Sequence, residues 1–497
     1  MIGDHVIVKH NGKVSLLVTT HSDSFCSQAS DTICAMPATA LARAIADREL
    51  SVLEVLMAFL NRIDRVNPSV NAIVTLCPEA ALAQATAMDQ SFAAGNEKPL
   101  YGLPIAIKDL VLTRGIRTTM GSPLYADFVP DIDELYVERL KAAGAIIIGK
   151  TNTPEFGAGS QTFNPVFGAT RNPYDLARTC GGSSGGAAVA LACEMLPIAD
   201  GNDLGGSLRN PASFCNVVGF RPTPGRVPNW PKQFSSDQFG VTGPMARSVE
   251  DAALLLSVMA GPDQRVPISL SEPGIDFLGP LVCDVKGMRF AWSPDLGGNP
   301  VDPKVTAVLE QALPVFEDLG GFIDAADPDL QDAKEIFSTF RAWMFLAKFG
   351  EDYGERGHLM KDTVRWNIEE GLKLTLADLT AATTKHATLV ERIAGFFDIY
   401  DILLCPSAQV PPFPLDQQWV HSINGIELET YLDWMAVCWA ITVTGCPAIS
   451  VPAGFTESGL PIGIQIVGAR GCDRQVLEVA YAFEQVTQQA RRRPALS

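Results

Sequence analysis

One stretch of this chain restricts its fold more than any other. Residues 180–211 read Cys-Gly-Gly-Ser-Ser-Gly-Gly, then an alanine-rich run, then Ala-Asp-Gly-Asn-Asp-Leu-Gly-Gly-Ser-Leu-Arg-Asn-Pro. Two glycine-rich loops so close together require a backbone that turns sharply twice and turns N–H groups outward at both places. Each loop presents a serine, Ser183 and Ser207. The run Ala187–Leu196 between them favours helix and is stopped by Pro197. Consecutive N–H groups around Gly205, Gly206 and Ser207 can cradle a developing oxyanion. Upstream, the apolar run Leu103–Ile107 ends on Lys108. A lysine in an apolar wall loses hydration, its pKa falls, and it becomes able to take a proton. Lys108, Ser183 and Ser207 therefore read as one site.

The surrounding periodicity supplies a frame for that site. Apolar residues at helical spacing predict helices over Ala38–Ala46 and Val52–Val66, the second capped by Ser51 and stopped at Asn67-Pro68. A third helix is expected over Ala80–Phe92. Ile105–Ile107 reads as strand, Ile132–Ala143 as helix and Ala145–Ile148 as strand, an alternation that argues for a mostly parallel or mixed sheet with helices on both faces. Ligands sit at the carboxyl ends of such strands, where Lys108 lies. Further on, helices are expected over Ser248–Ala260, Pro303–Leu319 and Val476–Gln485, with strands at Met288–Trp292, Ile402–Cys405, Ala448–Val451 and Ile462–Val467. Leu330–Ile399 is helical and carries Phe337, Phe340, Trp343, Phe345 and Phe349, which suits a roof over the site or plain core. Residues 1–36 have a different texture and read as an extension or flexible arm.

Composition excludes several alternatives. The formal charge of −18 argues against nucleic acid, and Arg491-Arg492-Arg493 reads as a solvated tail rather than a binding site. The 11 cysteines are scattered without a CxxC pair, which suits buried apolar thiols in a reducing compartment, so a cytoplasmic location is expected. No histidine spacing suggests a zinc site. The uncharged stretch Trp434–Thr456 is broken by Gly445 and Pro447 and reads as two buried strands and a turn, not a membrane span.

The motifs resemble the amidase signature family of serine hydrolases. The resemblance rests on Gly102-Leu103-Pro104-Ile105-Ala106-Ile107-Lys108-Asp109, Gly149-Lys150-Thr151-Asn152, Asn172-Pro173, Gly181–Gly186 and Asp203-Leu204-Gly205-Gly206-Ser207-Leu208-Arg209. Gly445–Gly454 and Gly459–Gln465 extend it, so it covers residues 37–490 and is weak over 262–430. It implies a single large α/β domain with a central twisted mixed sheet. It also implies amide hydrolysis through an acyl-enzyme on Ser207, with Ser183 as relay after a cis peptide bond and Lys108 as base. The oxyanion donors would come from Leu204, Gly205, Gly206 and Ser207 itself, with Ser184, Asp203 and Arg209 supporting the loops. No cofactor and no metal is implied. The partner is a small amide or anilide, with carbamates as an alternative class, and a homodimer is one option for assembly. Leu204 departs from the family, where threonine is common. The loop Phe156–Gln161 is similar to a pocket-lining loop, so Gly157, Ala158 and Gln161 are candidate substrate contacts. Two rival readings stand beside this one. Gly181–Gly185 also matches G-x-S-x-G, the elbow of α/β-hydrolases, with Ser183 as nucleophile, although the text before it is polar and turn-like. The family also includes amidotransferase subunits that deliver ammonia to a partner.

Overall fold

The structure, a computed structural model, describes residues 6–10, 13–17, 30–92, 98–232, 234 and 236–496. Two sheets meet at the site. The smaller has three strands in the order β1 (Ile73–Leu76), β3 (Ile146–Thr151), β2 (Pro104–Lys108), the last two parallel. The larger is mixed and has eight strands. In chain order they are β4 (Ile198–Asp203), β5 (Val218–Arg221), β6 (Val241–Ala246), β7 (Arg289–Trp292), β8 (Phe322–Ala325), β9 (Ile402–Pro406), β10 (Ala448–Phe455) and β11 (Pro461–Gly468). In space they run β4-β6-β5-β10-β11-β9-β7-β8. β7 is parallel to both β8 and β9, and the other pairings are antiparallel.

Helices cover both faces of the large sheet. Along β11, Gly463 abuts Ser213 of the helix Arg209–Cys215, while Gly468 abuts Val476 of the helix Asp473–Thr487. An odd spacing along a strand points side chains to opposite faces. Strands buried on both faces need continuous apolar text, and β11 is buried throughout. β2 lies against β4 at the seam of the two sheets. There the backbone N–H of Lys108 donates to Asp200 Oδ1 at 3.0 Å, and Tyr136 donates its hydroxyl proton to Asp200 Oδ2 at 2.7 Å.

Several expected boundaries move. The helix starting at Val52 runs through Pro68 to Val70, and Asn67 folds the chain back beyond it by accepting the N–H groups of Ala72 and Ile73. The stretch Trp434–Thr456 is a helix (Ala436–Thr444) and then a strand, turned by Gly445 at φ 69°, not two strands. Every residue of that helix is buried, so it has no polar face to betray a helical period. The helix expected over Ala187–Leu196 spans Gly185–Ala192 instead. Pro314 divides the one expected after Pro303 into Pro303–Ala312 and Pro314–Asp318. Of the extension, Val6–His10 and Lys13–Leu17 pair as an antiparallel hairpin, 30–35 are helical and Met36 bends away from them; the rest lies outside the described residues. Of the arginine tail, Arg491 and Arg492 are exposed, although Arg492 also stacks on Phe455, and Arg493 pairs with Glu194 at 3.1 Å. Among the described residues no helix is long and apolar enough to cross a membrane.

Candidate active site

Lys108 closes β2 with a fully buried side chain. Its Nζ lies 2.7 Å from Ser183 Oγ, 2.9 Å from Ser184 Oγ and 2.7 Å from Asn202 Oδ1. Burial pulls its pKa down to about 7, against the opposing pull of Asp200 and Asp203. The neighbouring Asp109 does not oppose this. A strand alternates its side chains, and Asp109 turns away to bind the N–H and hydroxyl of Thr119. The Gly182–Ser183 peptide bond is cis. The nearly buried Ser183 hydroxyl sits between the amine and the cavity.

Ser207 follows β4 and lines the same cavity as Ser183. It does not cap the next helix. That helix starts at Arg209, and the preceding residue, Leu208, makes no capping bond. Asp203 organises the loop. Its carboxylate accepts the N–H groups of Gly206 and Leu208, both at 3.0 Å, and pairs with Arg209 at 2.9 Å and Arg221 at 3.3 Å. Burial alone would raise its pKa, but the two guanidiniums outweigh that and hold it well below the usual carboxylate range. Because Asp203 takes the Gly206 N–H, the N–H groups without an acceptor among the described residues are those of Leu204, Gly205 and Ser207. Gly206 has φ +108°, and a Cβ there would fall 2.5 Å from Cys438 Cβ.

The cavity in front of the serines holds about 240 Å³. Gly157 lines it with φ +70°, where a Cβ would lie 3.5 Å from Ser183 Oγ. The other two expected contacts do not line it. Ala158 is buried among Phe345, Phe349 and Val364, and its carbonyl accepts from Lys361 Nζ. Gln161 turns its amide to the carbonyl of Leu415. The roof helix Ala333–Arg356 brings Arg341, Met344, Phe345, Lys348 and Phe349 to the cavity, whereas Phe340 and Trp343 pack on Phe239 and Phe234.

Sequence reasoning overlooked Asn202 and Arg221. A signal for Asn202 was present: in β4, residues two apart share a face, and both Asp200 and Asn202 face Lys108. The elbow reading finds no support in the geometry. The strand Asp175–Thr179 before Ser183 pairs with Arg171–Asn172 and bridges to Pro414, outside both sheets, and none of His358, His386 and His421 lines the cavity.

Comparison with known proteins places this geometry. The Amidase family model matches residues 54–477. An acylamidase of Rhodococcus erythropolis is 37% identical over 468 residues, covering 93% of this chain and 97% of that one. A glutamyl-tRNA(Gln) amidotransferase subunit from Alkaliphilus metalliredigens (strain QYMF) is 34% identical, covering 88% of this chain and 94% of that one. Among solved structures, a bacterial aryl acylamidase of the amidase signature enzymes superposes with a TM-score of 0.86 at 28% identity, covering 92% of this chain and 97% of that one.

Proposed function

The chain belongs to the amidase family, and on that premise we propose that Ser207 is the nucleophile of its amide-hydrolysing site, Ser183 the proton relay and Lys108 the base. The observation that carries these roles is the 2.7 Å contact between Lys108 Nζ and Ser183 Oγ in a fully buried setting. A neutral amine there accepts the Ser183 proton while Ser183 takes the proton of Ser207. Ser207 Oγ then bonds to the amide carbon. The N–H groups of Leu204, Gly205 and Ser207 receive the oxyanion, each worth about 10²–10³ in rate. Collapse breaks the C–N bond, the relay returns its proton to the departing nitrogen, and an acyl ester remains on Ser207. Water, activated by the same relay, releases the acid and restores the hydroxyl. The likeness to the acylamidase and the aryl acylamidase favours acyl amides and anilides as substrates.

The experiment is hydrolysis of an acyl anilide, a primary amide and an aryl carbamate by wild type and Ser207→Ala. Wild type is expected to turn over at least one, and Ser207→Ala to lose more than about 10⁴-fold in kcat. Full activity in Ser207→Ala overturns the assignment. A second reading, in which the chain passes ammonia to a partner protein, is favoured by the similarity to the amidotransferase component. Inertness of the isolated chain on all three substrates would support it.

A further inference from the structure

The roof helix brings to the cavity a buried guanidinium for which, among the described residues, the protein supplies no carboxylate. Arg341, Met344, Phe345 and Lys348 all line the cavity from the helix Ala333–Arg356. Their spacing of three, four and seven residues is that of one helix face. Arg341 is only 5% exposed, yet among the described residues no carboxylate lies within 4.0 Å of it. Its Nε donates to Asn367 Oδ1 at 2.9 Å and its Nη2 to the Tyr431 hydroxyl at 2.8 Å, both neutral acceptors. Among the described residues no acceptor takes its Nη1. Lys348 has no ion pair within 4.0 Å among the described residues and lies over the Phe349 ring at 5.2 Å; burial lowers its pKa, against the opposing pull of Glu134. The other charges that line the cavity have partners of opposite sign. Lys232 pairs with Asp237 at 2.9 Å, and Asp203 is held by two arginines. Glu134 is the remaining carboxylate, and burial raises its pKa to about 7, so it offsets one cation at most.

A guanidinium buried without a carboxylate is costly, and such cations are normally paired. Here the missing partner has a place to come from. Phe337, one turn before Arg341, touches the nucleophile loop: a Cβ on Gly205 would lie 3.2 Å from its ring. Arg341 therefore stands about 6 Å further along the axis, at 1.5 Å per residue. Asn367 and Tyr431 fix the plane of the fork, and its Nη edge is suited to a carboxylate taken by two parallel bonds.

We infer that this cavity selects amides that carry a carboxylate a few bonds from the scissile carbonyl, and that Arg341 is the group that binds it. The inference rests on the reading of the cavity as the amide-hydrolysing site. Its test is therefore a binding measurement that does not need turnover. Succinanilate (carboxylate on the acyl side) and 4-acetamidobutyrate (carboxylate on the amine side) are titrated calorimetrically into Ser207→Ala, each beside its methyl ester. At least one acid is expected to bind about tenfold or more tighter than its ester. Arg341→Met in the same background should bring that ratio near one, and Arg341→Lys should restore part of it. Using the ratio within one protein cancels any loss of folded material. Equal binding of acid and ester for both probes, or a ratio unchanged by Arg341→Met, overturns the inference. Discriminating binding combined with no hydrolysis by wild type would overturn the amidase roles instead, and leave the carboxylate subsite standing.

Discussion

In the proposed mechanism the chemistry turns on Lys108, whose environment makes two opposite demands. Three acceptors surround Nζ, which suits an ammonium, while burial favours the free amine. The two serines can turn their hydroxyl protons toward the nitrogen, but the Asn202 carbonyl can only accept. Asn202 thereby fixes one N–H and leaves the lone pair for Ser183. With the pKa near 7, kcat/KM should fall as pH drops through about 7, with an acid limb of unit slope. Asn202→Asp places a carboxylate where that amide stands and favours the ammonium. Its acid limb should move up by about 1–2 pH units, and kcat/KM at pH 7 should fall about tenfold or more. A pH–rate profile of both proteins decides this; an unmoved limb would separate Lys108 from the titration. The same lysine costs stability. Between about pH 7 and pH 10 the unfolded chain holds a proton that the native one releases, so this contribution improves as pH rises.

At the scale of elements, the loop after β4 depends on a charge cluster more than on its glycines. Asp203 is the carboxylate shared by two fully buried arginines and also accepts two loop N–H groups. Asp203→Ala should cost about 3–5 kcal/mol in urea denaturation, since it strands both guanidiniums. Its folded pKa lies well below the usual value, so the loss should be constant above about pH 4 and shrink only below it. The sequence announced these elements unevenly. Lys108, Ser183 and Ser207 were legible because glycine-rich turns and an apolar strand leave local signatures. Asp203 and Arg209 were legible as supports, but not Arg221, whose partner is eighteen positions away and meets it only in the folded sheet. Helix ends misled wherever proline was taken as a stop: Pro68 lies inside a helix whose exit Asn67 arranges. The buried helix Ala436–Thr444 passed for a strand because a segment covered on every side shows no period.

Across the whole molecule, the two sheets divide the labour of the site. Lys108, the proposed base, ends a strand of the small sheet, whereas Ser207 follows β4 of the large one and Ser183 precedes the helix that leads into it. The candidate carboxylate-binding arginine comes from a helix more than a hundred residues later, which is why sequence order could bring the two serines and the lysine together but not the pocket. Only Gly157 of the three expected contacts reaches the cavity, since loop direction is set by tertiary packing rather than by local text. The seam at Asp200 has a consequence in time as well as in space. A newly made chain that has formed its helices but not yet docked the two sheets holds a serine with no base to activate it. On the proposed roles, such a chain lacks the activity of the finished site. On dilution from denaturant, amidase activity should therefore return more slowly than far-ultraviolet ellipticity, and activity that returned in step with helicity would show that the sheets join before the helices are complete.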